Sequence, residues 1–220
     1  MFSLQNLDLV SIFVRIAVLL TAMPVHEFAH AAMAIRLGDD TPVRQGRNTL
    51  SPFAHLSLMG SIALLVFGFG WAKPVQVSNR NFKHPRRDMA LVALMGPVSN
   101  ILLALVCIIL DKIMTGFVPS AWGGTLNLIL SYAISINLML AVFNLLPVPP
   151  LDGSKILGAI LPPKAYFFFA RHEGVISVVL LVLMYLGVLT LPLYILSALL
   201  EALLNFITIP VDKLVAFLVR

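Results

Sequence analysis

An all-α polytopic membrane protein is the fold class this chain predicts, with about five to six membrane segments and a re-entrant or β-hairpin element around residues 51–80. Three observations predict it. Of the 220 residues, 60% are hydrophobic and only 11% are charged, more apolar surface than a soluble domain of this length can hide. The apolar residues fall into runs near the ~20 needed to cross a bilayer as a helix. The basic residues collect between those runs rather than spreading along the chain.

In order, the expected spans are 8–37, 88–114, 124–147, 174–191 and 192–217. The last two meet at Thr190-Leu191-Pro192 without a polar loop, so a tight turn is expected there. The stretch 56–71 is apolar but short for a full crossing. Next to it, the alternating Val75-Gln76-Val77 and the turn residues Ser78-Asn79-Arg80-Asn81 predict a short strand or hairpin at the membrane surface. Gly96-Pro97-Val98-Ser99-Asn100 places small residues and an amide inside a span. Pro147, Pro149 and Pro150 cannot continue a regular helix, so irregular backbone must follow 124–147 and must face protein or water. The whole, residues 1–220, is expected to be one integral domain with its core at about 8–160 and C-terminal helices at 174–217. The lone Cys107 excludes a disulfide framework. The net charge of +5 is a topology signal and implies no nucleic-acid partner.

The chemistry starts at His26-Glu27-Phe28-Ala29-His30, inside the first apolar run. Positions i and i+4 share a helix face, so His26 and His30 can present two imidazoles to one metal. Glu27 then lies beside the metal, placed to take a proton from water. Three ionisable groups in five residues are costly in hydrocarbon unless they have a job. A catalytic zinc keeps three protein ligands and an open position, and Asp152 in Leu151-Asp152-Gly153 is the natural third. An ordinary turn or helix cap is its other reading. Because the first run holds the motif, it is expected to be retained rather than removed as a leader.

Charge and ligand geometry give one topology. Arg36, Arg44 and Arg47 follow the first span, and Lys73, Arg80, Lys83, Arg86 and Arg87 precede the next long run. Both groups belong on the cytoplasmic side, so 56–71 enters and returns on that side. The ends carrying His26, His30 and Asp152 then meet if only 88–114 separates the first span from 124–147. The N-terminus is expected outside and the metal near the cytoplasmic leaflet of a prokaryotic cell membrane. Arg15 and Lys112 are the exceptions.

On these residues the chain resembles the site-2 protease family of intramembrane zinc metalloproteases. The resemblance rests on His26-Glu27-Phe28-Ala29-His30, Trp71-Ala72-Lys73-Pro74, Gly96 through Asn100, and Asn144 through Gly153 with Asp152, over roughly residues 15–160. It implies about six membrane segments, a Zn2+ site among core helices, and cleavage of transmembrane substrates near the membrane–cytosol boundary. Many relatives carry a soluble peptide-binding or nucleotide-sensing domain, and this chain is expected to be the compact form without one. Compact members have an Asp-Pro pair after the histidine matching His55, where this chain has Ser57-Leu58.

The expected mechanism follows from the parts. Zinc lowers the pKa of water toward ~7; Glu27 accepts the proton and delivers it to the leaving amine. The substrate helix must unwind locally, and 71–78 is expected to hold it by edge pairing. His55 is a candidate for oxyanion stabilisation or gating, and equally for a satisfied interfacial histidine. Asn144 is a candidate for orienting substrate or ligands, and equally for capping freed backbone. Asn100 is expected to be a packing hydrogen bonder, and Lys155 a lipid-headgroup contact in preference to a contact with substrate backbone. Tyr166-Phe167-Phe168-Phe169 reads as an interfacial anchor. Two other classes compete: an inactive zinc-binding scaffold, which Glu27 argues against, and an ion transporter using the His/Asp set, which the lack of a repeated half argues against.

Overall fold

A computed structural model of the protein describes residues 9–55, 57, 73–118 and 120–219. Their regular structure is entirely helical: α1 (Leu9–Arg36), α2 (Thr41–Arg44), α3 (Pro52–His55), α4 (Pro85–Phe117), α5 (Ser120–Leu145), α6 (Asp152–Ile160), α7 (Pro163–Arg171), α8 (Glu173–Tyr185), α9 (Thr190–Ile207) and α10 (Ile209–Leu218). Ile16–Arg36, Pro85–Phe117, Gly124–Leu145 and Thr190–Ile207 are long and apolar enough to cross a membrane. A fifth span is available if α7 and α8, bent by 65° at their junction, count as one. The protein is a multi-span membrane protein whose described residues hold helices and no strands.

Local sequence explains where the core helices begin and end. Gly38, at φ 102°, closes α1. Its N–H donates to Ile35 O at 3.0 Å and the Asp39 N–H to Ala34 O at 2.9 Å, the paired bonds of a glycine-terminated helix. At the start of α4, Pro85 occupies a first-turn position where its missing N–H costs nothing. The Asp88 carboxylate reaches back to accept the His84 N–H at 2.9 Å. After α5, the Pro-rich segment breaks the helix as expected, and α6 starts at Asp152. A Cβ on Gly153 would collide with the Leu145 and Leu146 carbonyl oxygens, so glycine lets α6 begin directly against the end of α5.

The long α4 is the central helix and packs on α1, α5 and α6. Its contact faces are built from small residues. Ala22, Ala31 and Ala34 of α1, Ala93, Gly96 and Ala104 of α4, and Ala141 of α5 are all buried, which lets backbones approach where lipid gives no hydrophobic drive. Ala104, Cys107 and Ile108 of α4 join Ile134 and Leu138 of α5 and Leu204 of α9 in one cluster. A second cluster, Ala34, Phe82 and Val92, joins the end of α1 to the start of α4. The large apolar side chains of the C-terminal helices, such as Val178, Leu199, Phe206 and Phe217, are exposed, as a lipid-facing surface requires.

Four expectations change. The segment expected as a span at 174–191 is helical only over Glu173–Tyr185, 13 residues, or about 20 Å against a hydrocarbon core of ~30 Å. The turn that ends it lies at Gly187 (φ 73°) rather than at Thr190-Leu191-Pro192, because Pro192 fits the first turn of α9. The expected 192–217 helix breaks at Thr208, where Pro210 withholds an N–H from the ladder; the Thr208 N–H and hydroxyl both donate to Leu204 O, at 3.0 and 2.9 Å. Finally, residues 73–78 form no strand ladder among the described residues. Their N–H groups go elsewhere: Lys73 to His55 O at 2.7 Å, Val75 to Glu27 Oε2 at 2.9 Å and Ser78 to Asp39 Oδ2 at 2.7 Å. Trp71, Ala72 and nearly all of the expected re-entrant stretch 56–71 lie outside the described residues.

Asp39, fully buried, is the hub of that last set. It accepts from Thr41 N and Oγ1, Ser78 N and Asn81 Nδ2. Burial alone would raise its carboxyl, but these donors outweigh burial and hold it below the usual carboxylate range. A depressed folded pKa means the contribution is complete above the ordinary value of 3.8 and fades only as pH falls through the folded value. At neutral pH, Asp39→Ala should therefore lower the local opening free energy of residues 75–82 by about 2 kcal/mol. Hydrogen exchange there should be about 30-fold faster. Unchanged exchange would mean that other contacts hold the segment.

Candidate metal centre

His26 and His30 lie on one face of α1, and α6 brings Asp152 against them. The Nε2 atoms of His26 and His30 are 3.0 Å apart, and Asp152 Oδ2 lies 3.2 Å and 3.0 Å from them respectively. All three residues are buried, with ligand atoms close enough together to hold one metal ion.

The surroundings determine what those atoms offer. His30 Nδ1 is 2.8 Å from the Val92 carbonyl oxygen, which can only accept, so Nδ1 carries the proton. His26 Nδ1 is 2.6 Å from Asn100 Oδ1, whose Nδ2 donates to Asn137 Oδ1 at 2.9 Å. Asn137 Nδ2 in turn donates to Ala133 O at 2.8 Å. This chain fixes the Asn100 amide so that its oxygen faces His26. In the neutral rings both inner nitrogens then carry lone pairs, and their nearest neighbours are each other and a carboxylate oxygen. Three acceptors converging at about 3 Å repel unless a cation lies among them. Two imidazoles and one carboxylate are the donor set of a hydrolytic zinc.

Gly96 makes the space. A Cβ there would sit 2.5 Å from His26 Cε1 and from His30 Cε1 and Nε2. The residue type at the motif Gly96-Pro97 is therefore set by the two imidazoles lying across α4. Burial works against an ionised Asp152, and the Lys155 ammonium, 3.3 Å from Oδ1, favours it. Lys155 thus reaches a ligand carboxylate rather than only the headgroups expected of it.

Glu27, buried beside the histidines, accepts the Val75 N–H at 2.9 Å through Oε2. His55 is buried; its Nε2 lies 2.8 Å from Thr49 O, and its carbonyl accepts the Lys73 N–H. Among the described residues His55 Nδ1 has no partner. Asn144 is half-buried and donates through Nδ2 to Leu140 O at 3.0 Å, one turn back at the end of α5. The outer partners of the histidines are what sequence reasoning misses. Asn137 is one of three amides, with Asn127 and Asn144, in the apolar run 124–147, and nothing in the sequence singles it out. Asn100, expected only to pack, instead accepts from His26, a candidate ligand. The Val92 carbonyl leaves no signature in sequence.

Residues 112–187 match the model of peptidase family M50. The chain is similar to the "Putative zinc metalloprotease YwhC" of Bacillus subtilis, at 42% identity over 75% of this chain and 77% of that one. It is similar to the "Putative zinc metalloprotease MJ0611" of Methanocaldococcus jannaschii, at 32% over 71% and 75%. It is also similar to the "Putative zinc metalloprotease Rip2" of Mycobacterium tuberculosis, at 30% over 82% and 70%. No solved structure matches. The relatives' names and the donor set agree on zinc as the cofactor.

Two substitutions test this shell without touching a ligand. Gly96→Ala should abolish stoichiometric zinc in the purified protein, because both imidazoles must move. Asn100→Ala should weaken zinc about 10- to 100-fold in a chelator competition. Full zinc affinity in both variants would mean that the metal, if bound, is held elsewhere.

Proposed function

The chain belongs to peptidase family M50, the site-2 protease family, and from that premise we infer that it is an intramembrane zinc metalloprotease that hydrolyses transmembrane substrates near the cytoplasmic membrane face. The observation that carries this reading is the buried convergence of His26, His30 and Asp152 with Glu27 beside them. His26 Nε2, His30 Nε2 and an Asp152 oxygen are the ligands. When bound there, zinc would supply Lewis acidity, making a water reactive near neutral pH and polarising the scissile carbonyl.

The protein's own residues do the rest. Glu27 takes the proton of the attacking water on its carboxylate and passes it to the leaving amine nitrogen. The Val75 N–H on Oε2 fixes the carboxylate's rotamer, leaving the other oxygen for the proton. The N–H groups of Lys73 and Val75 turn inward to His55 and Glu27, so strand-like alternation puts the Gln76 N–H on the opposite edge. An unwound substrate can pair there. His55 has its Nε2 proton committed to Thr49, so it suits shaping this wall better than donating to an oxyanion. Asn144 closes α5 just ahead of Asp152 rather than touching substrate. Arg36, Arg44, Arg47 and the basic run 80–87 support a cytoplasmic location for the ends that carry the site.

Purified protein in detergent, given single-span reporter substrates, tests the assignment. Glu27→Gln should keep zinc and lose at least about 100-fold in cleavage, whereas Asp152→Asn should lose zinc and activity together. Cleavage unchanged in Glu27→Gln would sink the mechanism. Gln76→Pro should keep zinc but cut cleavage sharply; full activity would remove edge pairing from the reading.

A further inference from the structure

On the side of α4 turned away from the histidines, a groove of about 800 Å³ runs between the start of α4 and α6. Its two ends differ in chemistry. His84, Arg86 and Arg87 line the upper end, and Leu91, Leu94, Ile156 and Ala159 line the floor. Neither Arg86 nor Arg87 has a carboxylate partner among the described residues. Asp88, the acid in this turn, is buried and engaged by the His84 N–H. The Arg86 guanidinium instead lies over the Tyr166 ring, 5.5 Å from its centroid. Tyr166 rests on α6 where a Cβ at Gly158 would be only 3.1 Å from its ring carbons. One cation is therefore held at the mouth by a wall of α7 packed on α6.

Two unneutralised guanidinium groups above an apolar floor, on a helix that enters the membrane just below them, complement one class of molecule. We propose that the groove binds an anionic phospholipid, with its phosphate at Arg86 and Arg87 and an acyl chain along Leu91, Leu94 and Ile156. The charges match a phosphodiester, and the apolar floor leads from the headgroup level into hydrocarbon. The volume is in the range of small-molecule sites. α6 forms one wall of the groove and starts at Asp152, so the lipid braces the helix that presents the third candidate ligand. This inference needs only that the protein sits in a membrane, not that it cleaves anything.

The test uses the full chain in nanodiscs of phosphatidylcholine with or without phosphatidylglycerol. It reads retained lipid by native mass spectrometry and thermal stability in parallel. Wild type should retain one phosphatidylglycerol and unfold at a higher temperature than in phosphatidylcholine alone. Each guanidinium near an anionic headgroup contributes about fivefold, so Arg86→Gln with Arg87→Gln should weaken retention about 30-fold. Lys164→Gln with Arg171→Gln, basic positions outside the groove, should change it little. Ala159→Trp, which fills the floor and keeps the charges, should also lose the lipid. Equal retention by wild type and the Arg86/Arg87 variant would overturn the proposal, as would equal stabilisation by both lipids. So would a shift reproduced by inorganic phosphate or by a soluble acidic peptide.

Discussion

Two imidazole lone pairs and a carboxylate oxygen meet within about 3 Å, with no donor aimed at that point among the described residues. In hydrocarbon such a meeting is unstable unless a cation resolves it. Much of the core serves to produce it. The Val92 carbonyl and the Asn100–Asn137 pair take the outer imidazole protons and so aim the inner lone pairs. Gly96 removes the one side chain that would fill the space. The prolines after Leu145 stop α5 where Asp152 can turn back toward α1, and Gly153 permits the tight start of α6. Small residues on α1 and α4 bring the two backbones close enough for the rings to reach across.

In front of the metal centre the construction changes. Glu27 is held by a backbone N–H from a segment that forms no ladder among the described residues, and that segment is pinned at its far end by Asp39. Asp39 is itself placed by the glycine turn that ends α1, the same helix that carries Glu27. Glu27 and the segment that orients it therefore share one helix as reference. Among the described residues these are point contacts rather than a continuous ladder.

Most of the chemistry is legible in the amino-acid sequence. His26, Glu27 and His30 declare themselves by helical spacing and by the cost of charge in a span, and Asp152 by a Pro-rich break at the matching depth. The three core spans are legible too, because length and apolarity alone define them. The remainder depends on tertiary placement. A backbone carbonyl such as Val92 O has no sequence signal. Asn100 and Asn137 look like ordinary packing amides until their partners are known. Val75-Gln76-Val77 has strand alternation, yet the Val75 N–H goes to the Glu27 carboxylate, which sequence does not bring near. Among the C-terminal helices proline accounts for the differences. Pro192 has the look of a turn residue although a first helical turn accepts it, and Pro210 ends α9 from inside an otherwise continuous apolar run.

The coordination shell is the most direct test of this construction. Zinc K-edge absorption on the purified wild-type protein should fit two imidazole nitrogens and a carboxylate oxygen at about 2.0–2.2 Å. The same spectrum from Asp152→Asn should lose the carboxylate component. A shell containing the Cys107 sulfur, an all-oxygen octahedron, or a spectrum that Asp152→Asn leaves unchanged would contradict a zinc site built from α1 and α6.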